Sequence, residues 1–281
     1  MELYFAVVAF IFGAIIGSFL DVVAYRLHTK KSLNGRSHCL SCGRKLVWYE
    51  LVPVLSYLGL RGHCRTCSAH IPFRCFLMEV VTGSAFLLIY TLYAHDLLLL
   101  FSYFGIAALL ILIVAYDLRH TIIPDELVVL LIAVALGVVS YTAVNGEDAL
   151  GAVLGHVAAG GAAAAFLGSF WLVSKGTWMG LGDAKLMFAL GLILGPWETF
   201  SALVLSFWLG AAISVSLILI ERILGLLRKR GAGTTRISFF GAPLKIKSEI
   251  PFAPFLVLGF SLVHFFHVDL FQALALSLPL Y

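Results

Sequence analysis

Eight stretches of this chain are apolar over a length equal or close to the hydrocarbon core of a bilayer, and nothing else in the sequence restricts its fold so tightly. A spanning helix takes about 20 mostly apolar residues. The backbone must also satisfy its own N–H and C=O groups where no water reaches them, so only helices and closed barrels cross. Helices are expected at about 2–24, 76–94, 97–117, 126–144, 149–173, 184–196, 199–224 and 252–274. The sixth, only about 13 residues long, is short for a span. The apolar/polar alternation of barrel strands is absent. With 61% hydrophobic and 12% charged residues among 281, the chain is too apolar for a soluble globule and far too apolar for disorder. The fold class is therefore an all-α polytopic membrane protein with a small loop domain between its first two helices. The first segment opens Met-Glu with no Lys or Arg before the apolar run, so it is expected to stay as an anchor rather than to be removed as a signal peptide.

Charge orients the bundle. With the N-terminus outside, segments 25–75, 118–125, 174–183 and 225–251 are cytoplasmic, and all 19 Lys and Arg residues lie in them or at adjoining helix ends. The opposite loops carry Asp96, Glu147, Asp148 and Glu198 without a Lys or Arg. Positive charge in short loops resists translocation, so this asymmetry predicts a multi-pass inner-membrane protein of that orientation. The net charge of +4 calls for no nucleic-acid partner; a basic rim favours anionic lipid headgroups.

Residues 25–75 hold nine of the basic residues and all five cysteines. Four read Cys39-Leu-Ser-Cys42 and Cys64-Arg-Thr-Cys67, with 21 residues between the pairs. Two such knuckles match a four-thiolate structural zinc site, which leaves no open position for a catalytic water. A disulfide or a redox pair fits less well, because cytoplasmic thiols stay reduced and no thioredoxin-like pattern surrounds them. So short a segment lacks the core to fold alone, and the metal is expected to supply folding energy. Cys75 reads as a small buried apolar residue, and His38, His63 and His70 as solvated loop histidines.

Asp117, in Tyr-Asp-Leu-Arg-His, and Asp183, in Gly-Leu-Gly-Asp-Ala-Lys, each stand where an apolar run meets a polar loop on the cytoplasmic side. Acids at membrane boundaries are costly and tend to be functional. Two carboxylates sharing one water make an aspartic peptidase, one taking a proton while the other polarises the scissile carbonyl. Helix polarity suggests Asp183, at a helix N-terminus, as the base and Asp117, at a C-terminus, as the acid, although a tightly coupled pair shares its proton. Simpler roles stand beside these: a helix N-cap for Asp183, and for Asp117 an ion pair with Arg119 or Lys185. Gly180 and Gly182 leave room for close approach. Asp125, after Pro124, reads as the cap of the fourth helix. Asp21 is expected to pair with Arg26, to snorkel, or to line a cavity. The small-residue run from Gly151 to Gly168 is expected to pack the bundle.

Together these residues resemble the type IV prepilin peptidases. Gly17-Ser18-Phe19-Leu20-Asp21-Val22-Val23 with Tyr25-Arg26, the knuckles around Pro53-Val54-Leu55-Ser56-Tyr57, Glu79, Asp117 with Ile123-Pro124-Asp125, and Gly180 to Lys185 match that family's segments in order. The resemblance implies an aspartic endopeptidase that removes the basic leader of prepilins and pseudopilins after a Gly, with Asp117 and Asp183 catalytic and Cys39, Cys42, Cys64 and Cys67 on zinc. It also implies N-methylation of the new terminus with S-adenosylmethionine. Domains follow as 1–24, a first transmembrane helix; 25–75, a cytoplasmic zinc-binding domain; and 76–281, a transmembrane peptidase core. Two positions depart from the family: Asp21 where Asn is usual, and His63 where Lys is usual. No Rossmann-type glycine loop is visible for the methyl donor. A zinc-stabilised proton- or cation-coupled transporter is the alternative, but both acids sit at the rim rather than the midplane and no internal repeat appears. A noncatalytic secretion platform would leave the aspartates unexplained.

Overall fold

Apolar length becomes helix along almost the whole described chain. The computed structural model describes residues 2–29, 35, 37–39, 41–144, 149–229 and 251–270. Among these run α1 (Glu2–Thr29), α2 (Leu55–Gly59), α3 (Phe73–Tyr93), α4 (Leu97–His120), α5 (Asp125–Val144), α6 (Ala149–Ser174), α7 (Leu181–Leu194), α8 (Pro196–Lys229) and α9 (Ala253–Phe266). There is no strand among the described residues, only isolated bridges at His38–Lys45 and His63–His70. Six helices, α1, α3, α4, α5, α6 and α8, are long and apolar enough to cross a membrane. The chain is thus the all-α, multi-pass membrane protein its apolar runs predict. Glu147, Asp148, most of 225–251 and the end of the last expected helix lie outside the described residues.

Local chemistry sets the ends. Asp96 Oδ1 accepts the Leu98 and Leu99 amides at 2.9 and 3.1 Å, capping α4. Pro72, Pro124 and Pro196 stand at or just before the first residues of α3, α5 and α8, where a missing N–H costs nothing.

Residues 1–116 form one compact unit and residues 117–281 a second. In the first, α1 lies against α3 through small residues: a Cβ on Gly17 would stand 2.6 Å from the Met78 carbonyl oxygen and 2.8 Å from Thr82 Oγ1. Lipid gives apolar helices no reason of their own to associate, so such close backbone packing carries the contact. Phe86 and Phe104 stack beside it with centroids 4.2 Å apart. Glu79, buried at this contact, accepts the Val54 amide at 2.7 Å and a bond from Ser18. Val54 has φ 63 and ψ −54, and the Leu55 amide donates to Pro53 O at 2.6 Å. This is a γ-turn, a strained shape for a β-branched residue, and it persists because the surroundings hold it.

In the second unit α7 is the hub, packed by α5, α6, α8 and α9. From Ala184 to Leu194 it is buried almost all round, with Leu186, Leu190 and Leu192 fully enclosed. Its 14 residues reach only about 21 Å at 1.5 Å per residue. A helix wrapped by others need not match the bilayer, which accounts for the short sixth segment. The small-residue run does pack the bundle: a Cβ on Gly191 would meet Gly160 Cα at 2.6 Å.

Candidate active site and metal centre

Asp117 lies three residues before the end of α4 and is buried. Its Oδ2 accepts the Ala253 amide at 3.2 Å, so the carboxylate faces the N-terminus of α9. The Thr121 amide donates to Asp117 O at 2.8 Å, and Thr121, at φ 51, turns the chain out of the helix. Ile123 then packs beneath the start of α7. A Cβ on Gly182 would meet Ile123 Cβ at 3.0 Å, so Gly182 is what lets the two segments close.

Asp183 is also buried. Gly180 occupies the N-cap position, which puts Asp183 three residues in, and its carboxylate reaches back to the Gly180 amide. It therefore serves the helix start from the third position rather than as the cap itself. The two carboxylates lie near enough for the charge on Asp117 to act on Asp183. Both face helix N-termini, so the dipole contrast expected from chain direction does not separate them. Ala253 escaped the sequence reading; the signal was Pro254 in the first turn of a helix, which marks a start whose free amides seek an anion.

Two neighbours take roles other than those expected. Lys185 binds Asp125, at 2.8 and 2.9 Å to its two oxygens, rather than Asp117. Asp125 is the first residue of α5 and an ion-pair partner across to α7, not simply a cap. In residues 1–116, Asp21 accepts the Cys75 thiol at 3.1 Å and stands 4.0 Å from Arg74 Nε. Cys75 is thus a half-buried donor rather than a plain apolar filler.

In the loop between α1 and α3, Cys39, Cys42, Cys64 and Cys67 bring their sulfurs within 4.8 Å of one another. Cys39 and Cys67 are 3.8 Å apart. Zinc–sulfur bonds of about 2.3 Å give a tetrahedron with edges of about 3.8 Å, so the spacing suits a four-thiolate ion. Each pair is folded by the same hairpin: Gly43 N to Cys39 O and Cys39 N to Arg44 O, both 2.9 Å; Ser68 N to Cys64 O at 2.9 Å and Cys64 N to Ala69 O at 2.8 Å. The turn amides point at sulfur. Those of Cys67 and Thr66 bring the Cys64 thiol down to about 6, and those of Cys42 and Ser41 lower Cys39. These amides favour the thiolate at Cys64 and Cys39, whereas burial and the surrounding thiols push Cys67 up to about 11. His63 and His70 turn Nδ1 to the carbonyls of Arg61 and Ile71, at 2.7 and 2.9 Å, instead of joining the cluster. The loop can hold a metal ion.

Residues 11–93 match the model of the bacterial peptidase A24 N-terminal domain, and residues 103–215 that of the type IV leader peptidase family. The chain belongs to the type IV leader peptidase family. It is 30% identical to a prepilin leader peptidase/N-methyltransferase of Burkholderia pseudomallei, an alignment that covers 95% of this chain and 86% of the relative. A protein of the same description from Vibrio cholerae is 30% identical over 69% of this chain and 79% of its own length. One from Myxococcus xanthus is 31% identical over 76% of this chain, which spans 64% of that relative. No solved structure matches the chain. Membership makes this an enzyme of the leader peptidase class, and the matches lend no support to the transporter alternative.

Proposed function

We propose that this protein is a membrane aspartic endopeptidase that removes the basic leader of prepilins and pseudopilins after a Gly, with Asp117 and Asp183 as its catalytic pair. The observation that carries this reading is the pair of buried carboxylates from α4 and α7, near enough for the charge on Asp117 to act on Asp183. One carboxylate takes a proton from water as the oxygen attacks the scissile carbonyl, and the other, protonated, donates to the carbonyl oxygen. The tetrahedral adduct then collapses, the C–N bond breaks, and a proton passes to the departing amine. The amides of Ala253 and Gly180 hold the two carboxylates in place throughout. The charge asymmetry of the loops supports a site facing the cytoplasm of a bacterial inner membrane, where a basic leader remains while the precursor's apolar helix stays in lipid.

Zinc is the ion the four thiolates suit, and bound there it supplies a closed structural cross-link. N-methylation with S-adenosylmethionine belongs to the same reading, from the description of the relatives. Loop residues including Tyr49, Leu55, Leu60 and Arg65 line an open groove of about 350 Å³, but it is nearly all apolar. Its charged groups are already engaged, Glu50 with Arg44 and Arg65 with Tyr49. The groove does not fit a methyl donor.

The test is leader removal from a precursor by the reconstituted protein, compared with Asp117→Asn and Asp183→Asn. Each variant is expected to lose cleavage while keeping its fold and metal; cleavage persisting in both would falsify the assignment.

A further inference from the structure

The loop between α1 and α3 shows an unusual surface for a segment outside the spans. Trp48 is 78% exposed, Leu55 68% and Leu58 57%. Leu55 and Leu58, three apart on α2, share one face. Leu55 and Tyr49 line the shallow apolar groove, and Tyr49 meets Trp48 in an edge-on contact of 5.7 Å. Over the sequence of the loop the charge has one sign. Residues 25–75 hold nine Lys and Arg against the single acid Glu50, which is spent on Arg44. Lys45, Arg61 and Arg65 are exposed.

We infer that this face of the loop docks on an anionic lipid surface, with Trp48, Leu55 and Leu58 entering the interface and Lys45, Arg61 and Arg65 meeting the headgroups. Three features on different levels agree. Indole and phenol rings prefer the boundary between hydrocarbon and water, where an apolar body and a polar tip are both satisfied. Lys and Arg near an anionic leaflet gain about 1 kcal/mol each. The loop is also anchored at both ends by helices that cross the membrane and pack on each other, so it is held at the bilayer surface with little further loss of freedom. A basic peptide is the competing occupant, and the net positive charge of the loop repels it. The inference does not depend on Asp117 or Asp183 being catalytic.

The test uses the full chain in lipid nanodiscs. The emission of Trp48 is obtained by subtracting the spectrum of Trp48→Phe from that of the parent, with metal content checked in both. In discs containing phosphatidylglycerol, lipids brominated high on the acyl chain are expected to quench this emission and aqueous acrylamide to leave it largely untouched. Lys45→Gln and Arg61→Gln should each lower the docked-to-free ratio by roughly fivefold. Equal access of acrylamide to Trp48 in anionic and neutral discs, with no quenching by the brominated lipid, overturns the inference. So does shielding of Trp48 that appears only when a precursor peptide is added, since the face would then belong to a peptide.

Discussion

In the metal loop, each half of the site is made by residues three apart in sequence, and the amides of the same tight turn prepare the sulfurs. In residues 117–281, the two aspartates come from α4 and α7, and what closes them together is a set of contacts made elsewhere: Ile123 on Gly182, Gly160 on Gly191, and the first amide of α9 on Asp117. The loop is small and its cysteine cluster partly exposed, so a bound ion would add to its order. The bundle is ordered by packing, and its polar groups are placed by the way helices start. A local site is thus vulnerable to loss of its ion, whereas a distributed one is vulnerable to a misplaced methylene far from the chemistry.

Substitutions that cross this divide sharpen it. Asp117→Asn should lower leader cleavage by about 10³-fold or more, the scale of a lost acid–base partner, with bound zinc unchanged by elemental analysis. Cys64→Ser should take bound zinc from about one per chain to almost none and open the loop to proteolysis. If Asp117→Asn also lost the metal, the two sites would not be independent. Gly191→Leu, remote from both sites, should cost the second unit about 1–3 kcal/mol by overpacking, read as an earlier thermal unfolding of the detergent-solubilised protein. An unchanged transition would mean that α6 and α7 are not held by their glycine contact.

Acidity separates the regions more gently. The Val47 amide, and then Arg44, hold the Glu50 carboxyl below its ordinary 4.5. A group of lowered pKa lends stability above its unfolded value and loses it as pH falls through the folded one. Glu50→Gln should therefore weaken the loop at neutral pH by a small margin that fades as pH falls through the lowered pKa of Glu50, followed by tryptophan emission across a titration. The smallest effect is expected of Lys185→Ala, because its pair with Asp125 is largely exposed: less than about 1 kcal/mol in unfolding.

Helices, their order and the four-cysteine cluster were legible because each is written in contiguous residues: twenty apolar positions, or two cysteines three apart. The roles of Asp125 and Lys185 were not, since nothing in either segment says that α5 and α7 begin side by side. Nor was the polarity of Asp117. Chain direction places it near a helix C-terminus, while space presents it with the N-terminus of another helix, α9, more than a hundred residues later. Asp21 shows the same limit: its contacts with Arg74 and Cys75 come from the head of α3, more than fifty residues later in sequence.

The contact of Gly160 with Gly191 also works as a depth gauge. A Cβ on Gly160 would stand 2.7 Å from the Phe188 carbonyl oxygen and 3.2 Å from the Leu192 amide nitrogen, so α7 seats with its backbone against Gly160 at one height. A slip by a single turn would move α7 by about 5.4 Å along its axis. Asp183, two turns nearer the start of that helix, would travel the same distance and leave a water no way to touch both carboxylates. The height of Asp183 along α6 is thereby set by two residues that have no side chains at all.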